Sequence, residues 1–350
     1  MDKEIQRLIE MYTVASENIQ ELINVLVDRG LSRKAQEKLL REIQAIINQL
    51  TETAGESANS IITQAYMNGS EEAINTLLSQ GVQRSAVATT VTTVIHVRAV
   101  QEIVDETFYR ILENSDHMTG DAKKRIKNVV QEANRRSLIE GVSRRQATKD
   151  AVAEMNQKGI TGMIAKNGAE IPAEKYMANV IQYHQRKAHV DGVVNRLVDN
   201  KRDLVYVNHV GITCPVCAIF QGRVYSVSGN DSRFPPLEQR PPYHGHCVHN
   251  VSVWTEEYMD EEEIGKAIAD SNRPFEDNRT AANKKKYEEM QRETSQKNET
   301  RKQWIRYKAR MPGMPDLRTF ASHKARNTKK YQGWMEDFRR FGYEIKSRSN

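Results

Sequence analysis

Every cysteine in the chain lies between positions 214 and 247, in the run TCPVCAIFQGRVYSVSGNDSRFPPLEQRPPYHGHCVHNVSVW. Cys214 and Cys217 form a C-x2-C knuckle; after 26 intervening residues His244 and Cys247 form an H-x2-C knuckle. Two ligands three positions apart can turn back on one metal. Two such knuckles joined by a short loop or hairpin gather soft donors tetrahedrally around zinc. Pro215 favours the tight first turn. The alternative is three free thiols in a reducing compartment, which does not account for the clustering. The expected metal ligands are therefore Cys214, Cys217, His244 and Cys247. The fourth place has other claimants. His246 adjoins Cys247, which is poor geometry for sharing an ion, and His249 is the runner-up.

The donor set points to a structural ion rather than a catalytic one. A catalytic zinc keeps an open position and a base nearby. Here three thiols and an imidazole can close the site. Glu238 is the single acid between Asp231 and Cys247, and no H-E-x-x-H pattern is present. Around the knuckles, Leu204–Val210, Arg223–Val227 and His249–Trp254 alternate as short strands. Three such strands bury too little to stand alone, and a bound metal would add the missing stability.

Elsewhere the periodicity is helical. Ile5, Leu8, Tyr12, Ala15, Ile19, Leu22 and Leu26 step by three and four up to Gly30. Ser32 is placed to cap a second helix with an apolar face of Leu39, Ile43, Ile46 or Ile47, and Leu50, the pair forming an antiparallel hairpin. Further helices are expected over Ser60–Met67, Glu71–Ser79, Ala86–Leu112 and Asp121–Glu140, broken at Asn68-Gly69, Gly81 and Asn114–Gly120. The helix from Ala86 has the mixed face Val87, Val91, Val94 or Ile95, Arg98, Glu102 and Asp105, with strand as an alternative for Ala88–Val97. Ser143 can cap a short helix to about Asn156. After the turns at Lys158–Gly162 and Lys166–Gly168, Pro172 can start a helix through Val198. MPGMP at Met311–Pro315 divides the tail into two arms. The fold class is mainly α: a helical N-terminal part (1–157), a small zinc-stabilised α+β module (158–258) and a charged helical C-terminal arm (259–350).

A net charge of +6 is unevenly spread. From Ala281 to Asn350 there are 19 Lys/Arg against 8 Asp/Glu, a surplus of +11, so the first 280 positions sum to −5. A basic tail is an electrostatic handle for nucleic acid or an acidic protein face, or else a solvated helix surface. The candidate phosphate contacts are Lys284, Lys285, Lys286, Arg301, Lys302, Arg306, Lys308 and Arg310. Trp304, Tyr307, Tyr331 and Trp334 lie among them, as stacking platforms or, at helical spacing, as packing residues. No apolar run reaches membrane-spanning length, the N-terminus lacks a signal-peptide profile, and reduced cysteines suit the cytosol.

The run KGITGMIAKNGAEIPAEKYMANVIQYHQRKAHVDGVVNRL, then HVGITCPVCAIFQGRVYSVSG and HGHCVHNVSVW, resembles the phage minor capsid protein 2 family, related to the Mu F-like head morphogenesis proteins of tailed phages. TRKQWIRYKAR also looks like that family's basic helix. Two departures stand out. Gln182-Tyr183 replaces the family's usual Arg-Thr pair, and His244-Gly245-His246-Cys247 replaces its usual histidine, proline and asparagine before cysteine. The resemblance implies a structural protein, present in few copies per capsid and acting in head assembly. Its implied partners are the portal protein, the major capsid or scaffolding protein and non-specific double-stranded DNA. Its implied location is the virion interior, reached through the host cytoplasm.

Two other classes remain open. One is a metal-dependent nuclease or toxin-like enzyme using His209, His244, His246 and His249. The other is a zinc-ribbon regulator reading DNA through Arg223, Arg233 and Arg240.

Overall fold

The computed structural model describes residues 3–90, 93–139, 141–157, 159–257, 259–311 and 313–347, with the side chains of 309 and 341–347 excepted. Val91, Glu140, Lys158, Tyr258 and Pro312, which figure in the expected helix faces and boundaries, lie outside the described residues. The protein is mainly helical with small antiparallel sheets, the class expected. In chain order the elements are α1 (Lys3–Asn24), α2 (Leu26–Arg29), α3 (Arg33–Ser79), α4 (Val94–Ile139), α5 (Arg144–Met155), β1 (Thr161–Ile164), β2 (Glu170–Pro172) and α6 (Ala173–Asp199). There follow β3 (Leu204–Val207), α7 (Pro215–Ala218), β4 (Arg223–Ser226), β5 (Val251–Val253), α8 (Glu261–Ser271), α9 (Ala281–Arg310), α10 (Leu317–Ala325) and α11 (Lys329–Ser347).

The chain forms two compact units. One comprises Met1–Gln6, Ala54–Arg110 and Ala178–Met290; the other comprises Arg7–Thr53, Ile111–Met177 and Gln291–Asn350.

In the first unit β3 is central, pairing antiparallel with β4 on one side and β5 on the other. Alternation gives the sheet two apolar faces. Val205, Val207, Val251 and Val253 pack with Val190, Val193, Val194 and Leu197 of α6 and with Ala73 and Leu77 of α3. Leu204, Tyr206 and Val224 turn the other way and join Phe234, Trp254 and, from α8, Ala267 and Ile268. Helices α3 and α6 cross with their backbones nearly touching. A Cβ on Gly69 would lie 2.0 Å from the His189 carbonyl oxygen, and one on Gly192 would lie 2.2 Å from the Tyr66 carbonyl oxygen.

That crossing explains a difference from the sequence expectation. Asn68-Gly69 does not break a helix; α3 runs unbroken from Arg33 to Ser79. The glycine is there for close approach, which outweighs its weak helix propensity. Likewise Asn114–Gly120 is no turn but lies inside α4.

The start of α4 also differs from expectation, and Arg196 supplies the reason. Its fully buried guanidinium donates to the backbone carbonyls of Ala88 (3.0 Å), Thr90 (3.2 Å) and Thr89 (3.4 Å), and to Ser70 Oγ (2.9 Å). Carbonyls engaged this way do not need helical partners. The helix therefore starts at Val94 rather than Ala86, and Val94 and Ile95 are exposed. Its buried positions instead include His96, Ile103, Thr107, Ile111 and Met118. His96 joins the helices of this unit, with Nδ1 2.6 Å from Tyr66 Oη and Nε2 2.6 Å from Asp199 Oδ2.

In the second unit the α1 stripe is buried as expected over Leu8, Tyr12, Ala15, Ile19 and Leu26, but Ile23 rather than Leu22 is fully buried. On α3 the buried face is Leu39, Ile43, Ile47 and Leu50. Ser143 caps α5 by accepting from the Gln146 amide. The turn-rich stretch after α5 contains a hairpin that the sequence did not announce, β1 pairing with β2 around Gly168. Tyr307, Phe320 and Tyr331 are buried in the core of α9, α10 and α11, with Trp304 and Trp334 packed against them. The tail aromatics are thus packing residues.

The crossing yields a paired prediction. Gly192→Ala drives a methyl into backbone that cannot swing aside, so it lowers stability by about 2 kcal/mol or more. Gly120 has open space around its Cβ position, so Gly120→Ala raises stability by about 0.5–1 kcal/mol. Chemical denaturation of both variants checks this; equal effects would contradict the close crossing.

Candidate metal centre

The first knuckle is built by the entry to α7. Cys214 is its N-cap, extended at φ −75° and ψ 161°, and its sulfur accepts from the Cys217 amide at 3.3 Å. Pro215 follows at the first helical turn, where a missing N–H costs nothing. Cys217 thereby points inward and is buried. The second knuckle is closed by the Cys247 amide donating to the His244 carbonyl at 2.9 Å. From there the chain enters β5, so the central strand and its neighbour β5 deliver the two knuckles to one place. Phe220 and Tyr243 stack at 4.5 Å beside them.

The four residues expected from spacing are brought together around Cys217. His244 Nε2 lies 3.1 Å from Cys214 Sγ and 3.2 Å from Cys217 Sγ. Cys217 Sγ lies 3.7 Å from Cys247 Sγ. His249 is there too, fully buried, with Nδ1 3.6 Å from Cys247 Sγ. The result is two overlapping triads, Cys214–Cys217–His244 and Cys217–Cys247–His249, each with its donor atoms within 4.8 Å of one another. His246 and His209 are exposed and belong to neither triad. Three sulfurs and imidazole nitrogen form a soft donor set that suits zinc.

The imidazoles differ in what lies behind them. Gln221 Oε1 accepts from the Val210 amide at 2.8 Å, which fixes it as the oxygen of that side chain. It lies 3.0 Å from His249 Nε2. His249 Nε2 therefore carries a proton, and the Nδ1 lone pair faces the sulfurs. That is the arrangement in which metal-binding histidines are usually held, the far N–H given to a carbonyl. In His244 the pattern reverses. Nδ1 accepts from the His246 amide at 3.2 Å, so Nε2 holds the proton and directs it at Cys214 and Cys217. Gln221 carried no sequence signal of this role; its place two residues before Arg223, on the strand side of the first knuckle, is intelligible only in three dimensions.

Among the thiols, Cys217 hydrogen-bonds Cys247 at 3.7 Å. The hydrogen bond from Cys217 holds the Cys247 thiol below its ordinary range. The same bond, then burial, pushes the Cys217 thiol up. Cationic side chains support the surrounding backbone. Arg186 donates to the Cys247 carbonyl, and Arg279 donates to the Thr213 carbonyl at 2.6 Å.

Arginines considered as base readers are occupied. Arg223 is fully buried, donating to the carbonyls of Ile219, Ser271, Arg273 and Pro274, with its guanidinium 4.1 Å from the Phe275 ring centroid. Arg233 pairs with Asp231 and Glu256, and Arg240 pairs with Asp191.

The candidate phosphate contacts all lie on α9 but differ in availability. In the first unit Lys285 and Lys286 are exposed, and Lys284 stands 3.6 Å from Asp277. In the second unit Arg301 binds the buried Glu174, Lys302 pairs with Glu299 at 2.7 Å, and Arg306 is exposed. Lys308 lies 4.9 Å from the Trp304 ring centroid, and Arg310 is half-buried 4.4 Å from that of Phe338. Arg301 and Arg310 are thus committed to the fold.

The family model described as phage minor capsid protein 2 matches residues 2–338. The chain belongs to that family. No curated protein and no solved structure matches it. The family match takes in the helical N-terminal half as well as the knuckles and the basic helix. No described helix is long and apolar enough to cross a membrane.

The protonation pattern is directly observable. Long-range proton–nitrogen NMR of the metal-free minor capsid protein should show both His244 and His249 protonated at Nε2. Protonation of His249 at Nδ1 instead would contradict the Gln221 hydrogen bond.

Proposed function

We propose that this minor capsid protein is a structural, non-catalytic component of the phage head, whose sheet-bearing part is stapled by zinc and whose basic helix α9 contacts packaged DNA. The observation that carries the reading is that three thiols and two imidazoles form two triads sharing Cys217, in a protein belonging to a capsid family. A zinc ion, when bound, supplies a cross-link between segments far apart in sequence. Cys214, Cys217 and Cys247 would hold it. For the fourth place the spacing favours His244, whereas the protonation pattern favours His249, whose lone pair already faces the sulfurs. We take His249 as the ligand and His244 as a donor of N–H to the bound thiolates.

Lys285, Lys286 and Arg306 are the exposed cations best able to reach phosphate. Non-specific contact with double-stranded DNA needs only such charges, and it releases counterions. Association with the portal vertex, and with the major capsid or scaffolding protein, follows the family's role in head assembly. That role would put the protein in the virion interior, after assembly in the host cytoplasm.

Two experiments test this. In metal analysis, His249→Ala should lose zinc while His244→Ala keeps most of it; the reverse result would return His244 to the fourth place. For DNA, the triple variant Lys285→Glu, Lys286→Glu, Arg306→Glu should bind random duplex more weakly. Its log-affinity against log-salt slope should be shallower by roughly one for each phosphate no longer neutralised. An unchanged slope would remove α9 as the DNA-binding element.

A further inference from the structure

A cavity of about 360 Å³ lies within the second unit. One wall is a polar stripe of α1, with Thr13, Ser16, Glu17 and Gln20 at helical spacing beside the apolar stripe. Opposite stand Trp304 and Ile305 of α9. Ser16, Asn156 and Glu174 line it from deeper positions, at 6%, 8% and 6% exposure.

Each of these three has a buried side-chain oxygen without a partner among the described residues: Ser16 Oγ, Asn156 Oδ1 and Glu174 Oε2. Their other polar atoms are engaged. Asn156 Nδ2 donates to Asn24 Oδ1 at 2.8 Å, and Glu174 Oε1 accepts from Arg301. An unsatisfied buried oxygen is expensive, and three in one cavity need an account. Two of them can only accept, so what satisfies them must donate.

We infer that the cavity binds a small aliphatic ammonium compound, a diamine or polyamine. The charge balance favours a cation, since Glu17, Glu21 and Glu174 outnumber Arg301 and Lys308. A divalent metal is a poor fit. It needs six or more oxygens converging at about 2.0–2.6 Å, whereas this space is far larger than an ion and has two cationic side chains in its wall. An anion would meet the Asn156 and Glu174 oxygens, which can only accept. A methylene chain suits the hydrocarbon of Ile305 and the indole of Trp304. Bound there, the ligand ties α1 and the start of α6 to α9 by satisfying oxygens that the protein leaves open.

Isothermal titration of the full chain with putrescine and with spermidine tests this, with magnesium chloride as the control. Saturable one-to-one binding is expected for an amine. It should weaken by about tenfold or more in both Glu174→Gln and Ser16→Val. Circular dichroism reports whether each variant folds. Should Glu174→Gln unfold because its pairing with Arg301 is broken, Ser16→Val decides alone. Absence of saturable amine binding, binding equal in wild type and Ser16→Val, or magnesium competing for the same site would each overturn the proposal.

Discussion

The closest constraint in the first unit is the meeting of α3 with α6 at Gly69 and Gly192, where backbone lies against backbone. Everything that presents the cysteines depends on it. The crossing lets Ala73 and Leu77 of α3 reach the valines of α6, and together they form the floor on which β3 and β5 lie. Those strands then place the ends of the two knuckles side by side. A larger residue at either glycine would separate the helices and lift that floor away from the sheet.

Below that scale, polar groups do the finishing. Arg196 and Arg223 are both fully buried and both satisfied largely by carbonyls. One holds the extended segment before α4; the other ties β4 to the end of α8. Gln221 extends the same logic to the Cys/His cluster by fixing the proton of His249. Such carbonyl-satisfied cations explain how a chain with few aromatics and mean hydropathy of −0.70 keeps irregular segments in place. They also separate the arginines that build the fold from the lysines of α9 that remain at the surface.

Much of this is legible from residue pattern. The knuckles, the three short strands around them, the Ser143 cap and the start of α6 directly after Pro172 follow from local chemistry, and local chemistry is what a sequence displays. Pattern alone suggests breaks at Asn68-Gly69 and Asn114–Gly120 in what are long continuous helices, because a glycine demanded by a crossing helix looks the same as one that ends a helix. The true start of α4 is hidden for a related reason: the group that satisfies Ala88–Thr90 is Arg196, about a hundred positions away. Leu22 and Ile23 are adjacent and equally apolar, so periodicity alone does not say which one faces inward. The ligand environment is legible in its sulfurs and not in its imidazoles, because the choice between His244 and His249 rests on hydrogen bonds from Gln221 and the His246 amide.

The central claim is that the Cys/His cluster of this minor capsid protein is a structural zinc site. X-ray absorption at the zinc edge, on protein purified without chelator, tests it most directly. The account predicts one zinc ion per chain, with a first shell of three sulfurs and one nitrogen at about 2.3 and 2.0–2.1 Å. Protein that is fully folded and free of zinc, or a shell dominated by oxygen, would contradict it.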